Sequence, residues 1–79
     1  MEFPQYRRLS NRKSFYRIDS MERFVEVQVV GSKYFAHDIE AKQYPEMLRI
    51  REMLSFQLQD IELSDEKEFT SHLIHAITV

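Results

Sequence analysis

The chain has no cysteine and no tryptophan, and only one glycine and two prolines, in 79 residues. Without cysteine there is no disulfide framework and no thiolate metal site. A short chain without these staples draws its stability from a well-packed core or from a partner subunit. The absence also fits a reducing cytoplasm. A single glycine cannot build a glycine-rich phosphate loop. No apolar run is long enough to cross a bilayer, so no membrane contact is expected. Residues Met1 to Asn11 hold arginines with no apolar stretch behind them, which is not the pattern of a signal peptide. There is no nucleophile elbow, paired-cysteine motif or HExxH helix. Nothing in the sequence marks an enzyme or calls for a cofactor.

What is present is globular. Apolar residues make up 43% and charged residues 30% of the chain, a balance that supports one folded domain over residues 1–79. The net charge is −2, but it is unevenly spread. Residues 1–17 carry five basic groups and one acidic group, while residues 18–79 carry six basic and twelve acidic. The plain explanation is charge that complements itself, within one fold or between two copies. The sharper one is a basic patch for an anionic partner.

Periodicity predicts four strands. Gln5–Leu9 and Ser14–Ile18 flank a turn in which Asn11 suits a left-handed conformation. Arg23–Val30 is rich in β-branched residues, and Val25, Val27 and Val29 alternate. Gly31-Ser32 suits a two-residue turn whose first central position needs positive φ. Lys33–Ala41 then returns. The rival reading is a helix from Met21, capped by Ser20 and stopped by Gly31.

A two-residue turn dictates the pairing. It sets Glu26 opposite His37, Gln28 opposite Phe35 and Phe24 opposite Ile39, with Val25, Val27 and Val29 on the other side beside Tyr34 and Ala36. The valine side is a core face. The opposite side mixes Phe24, Phe35 and Ile39 with polar residues, too apolar for bare solvent, and predicts cover by another element or another subunit.

Pro45 favours a helix start, and Met47, Ile50 and Leu54 form its stripe. A short strand near Asp60–Leu63 follows. Ser64 is the expected cap of a second helix over Asp65–Thr78, with Phe69, Leu73, Ala76 and Ile77 on one face. The expected class is α+β: a four-stranded antiparallel meander sheet followed by two helices packed on one face.

Five sets of residues are weighed for possible chemistry. Glu26 across from His37 could orient an imidazole for acid–base work, but a cross-strand polar pair explains it as well. His72 and His75 share a helix edge with Glu68, a set too small for a zinc site, and no metal is expected. The acidic run from Asp60 to Glu68 lacks a calcium-loop pattern and reads as solvated surface. Met21, Met47 and Met53 read as core filling rather than a groove. Arg7, Arg8, Arg12, Lys13 and Arg17 interleave with aromatics in a manner that could track a phosphate backbone. Against that stands a pI of about 5.9.

The leading expectation is therefore a non-enzymatic protein–protein interaction module, a homodimer or subunit of a small assembly. Its contact face would be Phe24, Glu26, Gln28, Phe35, His37 and Ile39. Weak nucleic-acid binding through the basic hairpin is the alternative. A small catalytic or ligand-binding role for His37 and Glu26 stands third.

Overall fold

β-branched runs and one glycine turn build the centre of the molecule. The computed structural model describes residues 1–79. Strands β1 (Gln5–Leu9), β2 (Ser14–Ser20), β3 (Arg23–Val30) and β4 (Lys33–Glu40) form the antiparallel meander. The segment after Met21 is strand, not helix. Gly31 has φ 61° while Ser32 keeps negative φ, the pattern of the turn expected there. The pairing that follows is as read from the sequence: Glu26 with His37, Gln28 with Phe35, Phe24 with Ile39 and Val27 with Ala36.

The first hairpin differs in detail. Arg12, not Asn11, takes the left-handed conformation, with φ 59°. The Asn11 Oδ1 instead accepts a hydrogen bond from the Lys13 backbone N–H at 2.9 Å, a local turn that fixes the next residue. β2 also runs two residues beyond Ile18, with an irregular register between Ile18 and Ser20.

After the meander come α1 (Tyr44–Leu54), β5 (Ile61–Leu63), α2 (Glu66–Leu73) and β6 (Ile77–Thr78). The six-stranded sheet has the order β5-β1-β2-β3-β4-β6, and only the β4–β6 pair is parallel. Pro45 sits in the first turn of α1 and Glu46 complements its dipole. Asp65, not Ser64, caps α2, its carboxylate accepting the Glu68 N–H at 2.8 Å. The second helix stops at Leu73 rather than Thr78. Ile77 and Thr78, both β-branched, instead pair with β4.

The two helices lie on opposite faces of the sheet, which corrects the expectation of both on one. α1 brings Ile50, Met53 and Leu54 onto Tyr16, Ile18 and Phe24. α2 brings Phe69 onto Phe15, Val25, Val27 and Ala36. The reason is the mixed composition noted above: both sides of the sheet are apolar, so each needs its own cover. No helix is long and apolar enough to cross a membrane.

Candidate functional site

The α1 face of the sheet is covered unevenly, and its rows show where cover stops. The row at the β2–β3 turn end holds Ile18, Phe24 and Ile39. Phe24 is fully buried beneath α1 and Ile39 packs against the same core. Of the six expected contact residues, Phe24 is therefore interior and Ile39 is half-buried against the same core.

The next row holds Tyr16, Glu26 and His37. Arg49, on the flank of α1, reaches over it. Its Nη2 donates to the Tyr16 hydroxyl at 3.1 Å and to Glu26 Oε2 at 3.4 Å. The guanidinium also lies 5.5 Å from the ring centroids of Tyr16 and Phe24. Burial pushes the Tyr16 hydroxyl above the usual tyrosine value, the Glu26 charge adds to this, and Arg49 partly opposes both. Glu26 and His37 are paired across strands as expected, but the Glu26 carboxylate is held by Arg49.

The last row runs Ser14, Gln28, Phe35 and Ile77. Here α1 no longer reaches. Gln28 is exposed and Phe35 half-buried. Ile77 leaves 53% of its surface open. Ser14 is buried, so Gln28, Phe35 and Ile77, together with His37, form the uncovered corner, at the end of the sheet that carries the β1–β2 and β3–β4 turns.

The basic residues of the first hairpin are dispersed by the fold. Arg7 points into the α1 side and is 4% exposed. Its Nε donates to Met53 O at 3.0 Å and its Nη2 to Leu54 O at 3.3 Å, and it stacks on Phe56 at 4.3 Å. Burial holds its basicity below the usual arginine range. Arg8 points to the α2 side and bonds Glu62 at 3.1 Å and Glu68 at 2.7 Å. Those hydrogen bonds raise it above the usual arginine range. Arg17 pairs with Asp19 at 2.8 Å. Only Arg12 and Lys13, on the turn, have no ion pair. Much of the opposition between a basic front and an acidic back is thus satisfied inside one chain.

Of the two histidines expected on one helix edge, only His72 lies on α2, where it serves packing; His75 falls in the turn after it. His72 stacks on Phe15 at 4.0 Å and 22°, and its Nδ1 donates to Glu68 O at 2.8 Å. His75 is exposed, and no three potential ligands gather anywhere in the chain. Of the methionines, Met53 is core, while Met21 and Met47 are partly open. The larger of two surface depressions lies on the polar outer side of α2, lined by Glu66, Lys67, Thr70 and Ser71. The other, about 210 Å³, lies between Met1, Met21 and Leu54. Neither involves Glu26 or His37.

Two residues of this region were not placed here by the sequence. Arg49 is one of two arginines on α1, and only the tertiary crossing brings it to Tyr16. Ile77 matched a helical period and gave no sign of joining β4. No protein-family model, curated protein or solved structure matches the chain.

Proposed function

We propose that the protein is a non-enzymatic protein–protein interaction module that self-associates into a homodimer or small homo-oligomer. The observation that carries this reading is the uncovered corner. Phe35 and Ile77 lie side by side on a sheet face whose opposite end, around Ile18 and Phe24, is covered by α1. In a domain this small, open apolar surface costs stability that a second copy recovers by covering it. His37 and Gln28 give that surface a polar border, as interfaces commonly have. Glu26 supports the reading from beneath, since its carboxylate is engaged by Arg49 rather than free for chemistry. The absence of cysteine fits the cytoplasm as the compartment.

Light scattering across a concentration series tests this. The mass rises above that of one chain as concentration increases, and Ile77→Glu returns it to the monomer. A wild-type chain that stays monomeric throughout would overturn the proposal.

A further inference from the structure

The sheet ends in two different edges. β5 closes one side and β6 the other. A short edge strand is one way to discourage further pairing, and such edges usually add lysine, proline or a bulge. These two carry no lysine or proline; β5 has Glu62, which Arg8 engages, and both present exposed aliphatic side chains. Leu63 on β5 is 67% exposed and Ile77 on β6 is 53% exposed. Both lie on the α1 face: Leu63 is the neighbour of Arg7, in the row of Tyr16, and Ile77 is the neighbour of Phe35.

Charge distinguishes the edges at the end carrying both hairpin turns. Lys33 begins β4, beside β6, and is exposed. Asp60 precedes β5, is exposed, and its carbonyl accepts the Ser10 N–H at 2.8 Å, which fixes it at the same end. Neither residue has an ion pair within the chain. At the far end Asp38 and Glu40 are engaged by Arg23.

From these relations we infer that the β6 edge of one copy receives the β5 edge of the next, head to tail, with the same sheet face outward. This rests on the self-association proposed above and names its two surfaces. Ile77 of one copy packs against Leu63 of its neighbour, and Lys33 of the first meets Asp60 of the second. Both edge strands run from the turn end toward the far end, so the new pair is parallel. The contact is heterologous: each copy offers two different surfaces, and growth continues unless rotation closes a ring.

Complementation by full-length variants tests it, because each variant leaves one edge intact. Leu63→Glu disables the β5 edge and Ile77→Glu the β6 edge, so neither associates alone. Mixed in equal amounts they form a dimer and nothing larger, read by sedimentation velocity. As a check at exposed positions that do not pack, Lys33→Glu and Asp60→Lys each weaken association about tenfold, and the double variant restores it. A wild-type monomer would overturn both the self-association and the edge contact. Wild-type association without complementation, or without the charge-swap rescue, would overturn the head-to-tail contact alone.

Discussion

Phe15 and Tyr16 are neighbours in the chain, both almost fully buried, and their rings lie in different cores on opposite faces of the sheet. Strand alternation forces this: successive side chains point to opposite faces. The sheet is consequently a middle layer, and one dipeptide anchors both contacts. Phe15→Ala and Tyr16→Ala are each expected to cost about 3–5 kcal/mol, as for large aromatic truncations in a core. Urea midpoints measure this. A midpoint little changed by Phe15→Ala would mean that α2 is not a true cover.

Arg7 acts as a distant cap for α1. Its guanidinium donates to the carbonyls of Met53 and Leu54; at this helix end Met53 O otherwise has only a 3.4 Å bond from the Phe56 N–H, and Leu54 O has no backbone partner. Replacing it by methionine keeps the apolar stem but removes the donors, and stability should fall by about 1.5–3 kcal/mol. Lysine should rescue only part, since an ammonium cannot reproduce the planar fork. Chemical denaturation of the three proteins decides, and equal stability of wild type and Arg7→Met would refute the capping role.

Acid should loosen the contact between β1 and α2. Burial alone would raise the Glu68 carboxyl, but hydrogen bonds from Ser64 and Arg8, with the charges of Arg8 and Arg12, outweigh it and hold it below the ordinary value of 4.5. A depressed carboxyl stabilises the fold above its unfolded value, and that stability is lost as pH falls through the folded one. Stability should therefore decline below about pH 4.5. Glu68→Gln should flatten that limb, and Arg8→Gln should move it to higher pH. Unfolding midpoints from neutral to acid pH check both.

Gly31 matters for its backbone alone. At φ 61° an added Cβ meets nothing within 4 Å, so Gly31→Ala should cost only the left-handed penalty, about 1 kcal/mol. A thermal melt reads it. No loss would show that the turn relaxes.

The meander was legible because its signals are local. Valine alternation and a Gly-Ser turn determine the register from Phe24 to Ile39, down to the Glu26–His37 pair. The apolar character of Phe24 and Ile39 also signalled that their face is covered. Which helix covers it depends on the tertiary path, to which helical periodicity is blind. The same limit hid Arg7 and Arg8, whose partners lie 46 to 60 residues away. It hid Ile77 too, since no glycine or proline marks the end of α2 and the pull of an open β4 edge leaves no trace in local pattern.

The most direct test of the open corner is an NMR concentration series on the intact chain. As concentration rises, the amides of Gln28, Phe35, His37 and Ile77 should shift together, while those of Lys67 and Ser71 on the outer side of α2 stay still. Shifts confined to the outer side of α2, or none at any concentration, would contradict self-association through that corner.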